Sequence, residues 1–142
     1  MTREHEQIDS ILSSRNITNV IKNFSCSAES IKNYLKQGFK ITNSDDPKED
    51  TLWNAIAYGL DDKSIMLLIN NGAKINNSEE LHKNTLYCAL KQTYLPSTYE
   101  FLIEQGAEPT KLDEKSFKQL DNVTIKSENI IINANKNISL TR

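Results

Sequence analysis

The stretch Ile65-Met66-Leu67-Leu68-Ile69-Asn70-Asn71-Gly72-Ala73-Lys74-Ile75 decides how this chain is read, because it has two ungapped counterparts. These are Ile31-Lys32-Asn33-Tyr34-Leu35-Lys36-Gln37-Gly38-Phe39-Lys40-Ile41 and Tyr99-Glu100-Phe101-Leu102-Ile103-Glu104-Gln105-Gly106-Ala107-Glu108-Pro109. Gly38, Gly72 and Gly106 follow one another at intervals of 34 residues. Upstream, Asp50-Thr51-Leu52-Trp53-Asn54-Ala55-Ile56 and Asn84-Thr85-Leu86-Tyr87-Cys88-Ala89-Leu90 keep the same offset. Matching blocks at both ends of a unit mark an internal repeat.

Each block has a physical reason. Ile65, Leu68 and Ile69, like Ile31, Tyr34 and Leu35, fall at i, i+3 and i+4, which lines one face of a helix with apolar groups. The glycine then stands where a helix commonly ends in a left-handed residue. In the upstream block Leu52 and Ala55, and likewise Leu86 and Ala89, are three apart. The small alanine lets a neighbouring helix approach while the leucine fills the layer between units. Two helices per unit follow.

At this point the residues resemble the ankyrin-repeat family, whose unit is a β-turn finger and two antiparallel helices. Ile69-Asn70-Asn71-Gly72-Ala73-Lys74-Ile75-Asn76 is similar to the family's Leu-Leu-x-x-Gly-Ala-x-Val-Asn ending, and Ile103-Glu104-Gln105-Gly106-Ala107 repeats its first half. The family's Thr-Pro-Leu-His-x-Ala opening departs here: the proline is lost, and Trp53 and Tyr87 replace the histidine. The family's Thr–His hydrogen-bond network is therefore not carried over. Each unit is about one residue longer than the family's, with the insertion assigned to the inter-helix turns around 59–62 and 93–97. The resemblance implies an all-α fold, a short helical solenoid of three to four units with atypical ends.

The expected organisation is a single domain over 1–142. It has an N-terminal cap and partial unit at 1–26, the best-matching repeats at 27–111, and a C-terminal cap and tail at 112–142. A capping helix is expected near 4–13, with Ile8, Ile11 and Leu12 on one side. Ile17-Thr18-Asn19-Val20-Ile21 reads as a shortened first helix. Another helix is expected over 112–121, with Leu120 and Val123 in register with Leu86 and Ala89 as a partial fourth unit. From Lys126 onward the chain is open between a short strand and a frayed helix.

Composition narrows the function classes. Seventeen basic residues are scattered among 19 acidic ones for a net charge of −2, with no basic cluster of the kind a phosphate backbone needs. The longest apolar run, Ile65-Met66-Leu67-Leu68-Ile69, falls far short of the roughly 20 residues of a membrane span. No signal-peptide core follows the charged start, and two cysteines make no disulfide framework, so a cytoplasmic setting is expected, of the producing cell or, for a translocated effector, of a host cell.

Chemistry finds no foothold. His5 and His82 keep no metal-ligand spacing with Cys26 or Cys88, which read as structural thiols without an activating base. The carboxylate pairs Asp45-Asp46, Glu49-Asp50 and Asp61-Asp62 read as solvated turns. No enzyme activity and no cofactor are expected.

Binding is different, because stacked repeats offer an extended concave surface of fingers and first helices. Carried over by position, the resemblance assigns Lys48, Glu49, Ala57 and Tyr58 to that surface in one unit. In the next it assigns His82, Lys83, Lys91 and Gln92, with Tyr94 nearby as a second aromatic beside Tyr58. Tyr58 has an alternative role, closing the end of its helix; Trp53 and Tyr87 read as packing. The implied partner is another protein that a monomeric chain inhibits or recruits, as effector or immunity-type proteins of bacteria or phage do. The competing expectation is a structural, self-assembling repeat.

Overall fold

A computed structural model describes residues 3–92, 94–108, 123–126, 129–134 and 138–141, with side-chain detail over 8–108 apart from 93 and 96. Among the described residues, α-helices occupy Arg3–Ser13 (α1), Ile17–Asn23 (α2), Ala28–Lys36 (α3), Thr51–Ala57 (α4), Asp62–Asn70 (α5), Thr85–Leu90 (α6) and Pro96–Glu104 (α7). A 3₁₀ turn spans Leu81–Lys83, and strands follow at Val123–Lys126 (β1), Asn129–Ala134 (β2) and Ile138–Thr141 (β3). Contacts group the chain into two compact units, Met1–Lys74 and Ile75–Arg142, described here in turn.

In the first unit the expected helices form where the apolar spacing put them. Asn16, Ser27, Asp50 and Asp61 start α2, α3, α4 and α5, each accepting a backbone N–H of the first turn. Such caps satisfy donors that the helix itself leaves open. α2 packs on α4, α3 on α5, and α4 on α5. The core between them is Ile17, Val20, Ile21, Ile31, Leu52, Ala55, Ile56, Ile65 and Leu68, all within a few per cent of complete burial. Ala55 is fully buried where α4 meets its neighbours, as its small size predicts.

The glycines end the helices as read. Gly72 has φ 112°, its N–H donates to Ile69 O at 3.1 Å, and the next N–H, of Ala73, reaches back to Leu68 O at 3.0 Å. This pair of bonds is the Schellman ending, which needs a left-handed residue at the glycine. The same two-bond pattern recurs after α3 and α7, and also after α4, where Gly59 takes the left-handed position.

The helix openings are tied to the fingers through threonine. Thr51 N–H donates to Thr42 O at 2.9 Å and Thr51 Oγ1 accepts Thr42 N–H at 2.8 Å. Thr51 Oγ1 also lies 2.6 Å from Thr18 Oγ1 in a buried pair. With histidine absent, threonine bonds to backbone and to a second threonine instead. Farther along the finger, Asn43 donates from Nδ2 to Gly72 O at 3.0 Å and accepts Lys74 N–H on Oδ1 at 2.8 Å.

The second unit repeats these devices at the same offset. Thr85 exchanges the same two bonds with Asn76, and Asn77 grips Gly106 O and Glu108 N–H at 2.8 Å each. α6 packs on α7 around Leu86, Ala89, Leu90, Tyr99 and Leu102. The strands form an antiparallel sheet in the order β1-β2-β3, with Ile125 opposite Ile130 and Ile132 opposite Leu140, and β2 and β3 lie against α7.

The chain is thus helical through Glu104, as expected, but the all-α expectation does not extend to the tail, where the open choice resolves to strand. Val123 opens β1, so it does not continue a fourth helical unit. The helix expected over 112–121, with Leu120, lies outside the described residues. No helix among the described residues is long and apolar enough to cross a membrane.

Candidate functional site

α4 carries the four positions assigned to the first unit, and it holds them at its two ends. Lys48 and Glu49 are exposed on the turn that precedes it. That turn is fixed from within: Asp46 Oδ1 accepts Lys48 N–H at 3.0 Å, and Asn54 Nδ2 donates to Pro47 O and Lys48 O at 2.9 and 3.2 Å. The finger is therefore folded back on the helix that follows it, with its two charged side chains facing outward. Asp50, between finger and helix, accepts Ser44 N–H and Trp53 N–H at 2.9 Å each. Burial pushes its carboxyl above the usual range against the pull of those two bonds.

Ala57 is half-buried at the far end of α4, and Tyr58 caps that helix with 56% of its surface exposed. The left-handed Gly59 turns the chain away directly behind it, which leaves the ring standing outward. Tyr58 lines an open cleft of about 550 Å³ together with Phe24 and Cys26 at the α2–α3 loop. A seven-residue helix is roughly 10 Å long, so finger charges and ring lie at opposite ends of one short rod.

In the second unit His82 is exposed and Lys83 half-buried on the 3₁₀ turn, where Lys83 Nζ meets Glu80 at 2.9 Å. Lys91 is exposed with its ammonium 4.7 Å from the Tyr87 ring centre. Gln92 is half-buried, and its carbonyl accepts the Tyr99 hydroxyl at 2.7 Å.

Tyr94 corrects the sequence reading: it is 5% exposed and is no surface anchor. Its N–H donates to Tyr99 Oη at 3.1 Å and its ring stands edge-on to Tyr99 at 6.3 Å between centroids. The cause is the repeat itself. Tyr94 lies 34 residues after Leu60, which is buried at the same point of its own turn, and Cys26 lies 34 before Leu60. Reading the turns as insertions hid this slot.

The same offset reveals Phe24, which the sequence reading missed, as the counterpart of Tyr58. Phe24 caps the end of α2 as Tyr58 caps α4, and both rings line the same cleft. Tyr87, expected in packing, is buried; Trp53 is half-buried.

Neither thiol is set up to react. Burial holds the Cys88 thiol up at about 11 despite the nearby Lys91 charge, and burial also raises Cys26 against a hydrogen bond with Ser30. Among the described residues no three His, Cys, Asp or Glu side chains gather as a metal site. No family model, curated protein or solved structure matches this chain.

Proposed function

We propose that this chain is an ankyrin-type repeat protein that binds another protein and so inhibits or recruits it, as effectors and immunity-type inhibitors do. The observation that carries this reading is Tyr58, a large ring left mostly in solvent at the mouth of a cleft while Tyr87, Tyr94 and Tyr99 are buried. Aromatic side chains beside a cleft are the groups that most often anchor a protein interface. Phe24 in the same cleft adds to its apolar lining, and Lys22 and Asp61 supply polar contacts. The exposed finger charges Lys48 and Glu49 extend the surface at the other end of α4.

The test is capture from lysates of producing cells and of cells they meet, with wild type compared against Tyr58→Ala of unchanged circular dichroism. One near-stoichiometric protein, retained at least tenfold less by the variant, is the expected result; tenfold corresponds to about 1.4 kcal/mol. Equal retention by both would reject the Tyr58 surface. No capture, together with a mass that rises with concentration, would favour self-assembly instead.

A further inference from the structure

Where α3 ends, the chain departs from the pattern at the ends of α5 and α7. The apolar pairs that close the endings of α5 and α7 are Leu68 with Ala73 and Leu102 with Ala107, all buried. At the end of α3 the pair is Tyr34 with Phe39, two rings 4.9 Å apart and inclined at 55°. Arg15, in the α1–α2 turn, lies above them with its guanidinium carbon 5.9 Å from the Phe39 centre. Its Nη1 donates to Gln37 O at 2.6 Å, and its carbonyl accepts Lys40 N–H at 2.7 Å.

Arg15 is also the one non-glycine among the described residues with positive φ, at 50°. An L-residue with a long side chain is strained there, and such residues persist where the surroundings hold them. The result is a guanidinium fixed at one nitrogen, one face and its backbone. Arginine has five N–H donors, and among the described residues only one of Arg15's finds an acceptor. Among the described residues, the cleft beside it, about 510 Å³, is lined by one cation, no carboxylate, and the amides of Asn33 and Gln37.

We infer that this cleft recognises a carboxylate borne on a peptide chain, with Arg15 as the binding residue and the Tyr34–Phe39 rings as the wall for an adjoining apolar side chain. A planar fork of donors matches a carboxylate in two parallel bonds. One cation balances one such charge, whereas a doubly charged phosphate asks for more. Holding the end of α3 explains only the bond to Gln37 O, which a lysine ammonium also makes; it leaves the rest of the fork beside the Phe39 ring unexplained. The site is independent of Tyr58.

The probe is the peptide acetyl-Gly-Glu-Phe-Gly-amide, followed by NMR on the full chain. Its Gln counterpart and inorganic phosphate serve as comparisons. The Glu peptide is expected to shift the Arg15 Nε–H and the Tyr34 and Phe39 ring signals, saturating on the order of 1 mM. The Gln peptide should bind at least tenfold more weakly, as should the Glu peptide to Arg15→Lys, while Tyr58→Ala binds as wild type does. Equal binding of the Gln peptide to wild type overturns the inference and needs no variant. So does full binding by Arg15→Lys, or the same shifts from phosphate at the same concentration, which would mark an unselective anion site.

Discussion

Thr51→Val is the substitution that best probes how finger and helix are joined. Valine keeps the shape and the helix propensity of threonine but removes a hydroxyl that is completely buried. Two groups lose their partner: the half-buried N–H of Thr42 and the buried hydroxyl of Thr18, at 2.8 and 2.6 Å. A buried polar group left unpaired costs about 1–3 kcal/mol, so the expected loss is about 2–4 kcal/mol, with the Thr42 N–H at the lower end. Thr18→Val leaves the Thr42 bond intact and should cost about 1–2 kcal/mol. The double variant should recover about 1 kcal/mol of the summed losses, because neither hydroxyl then lacks the other. Urea denaturation followed by the fluorescence of Trp53, the sole tryptophan, reads this unit directly. Additive losses, or a Thr51→Val loss below about 0.5 kcal/mol, would refute the buried pair.

Three more outcomes follow from the geometry. Gly72→Ala meets no atom within 4 Å, so its cost is conformational alone, about 1–2 kcal/mol for a left-handed alanine by urea denaturation. Leu95 starts α7 with no side-chain cap and is 60% exposed; Leu95→Asp offers the Thr98 N–H, which already donates to Leu95 O at 2.9 Å, a second acceptor and should stabilise by about 0.5 kcal/mol, and a lower thermal midpoint would contradict this. Cys88, with its thiol near 11, should be almost unreactive with iodoacetamide at pH 8 and gain about tenfold in rate per pH unit up to that value, whereas a plateau near pH 8.5 would mean an unburied thiol.

Much of the fold is legible because the repeat writes each device more than once. Gly38, Gly72 and Gly106 announce helix ends, and Thr51 and Thr85 announce helix starts, all at one spacing. Tyr94 looks like a surface aromatic when its turn is taken as an insertion, while its place is set by the apolar slot that Leu60 fills one period earlier. The strand over 129–134 was left open because a short apolar run has no period to tell strand from helix. Of the candidate site, the exposure of Tyr58 was legible from its place before Gly59, and Phe24 was within reach of the same offset. Arg15 was not, since nothing local marks an arginine for a left-handed turn.

The two asparagine grips bear on how such a chain can change its length. Asn43 holds the loop around Gly72, and Asn77, one period on, holds the loop around Gly106. A segment running from one grip to the next brings both halves of the joint with it. Duplicating or deleting one whole period therefore restores every grip, while adding a few residues within a finger breaks one. Lengthening by tandem duplication is therefore open to the interior of this chain, one whole period at a time.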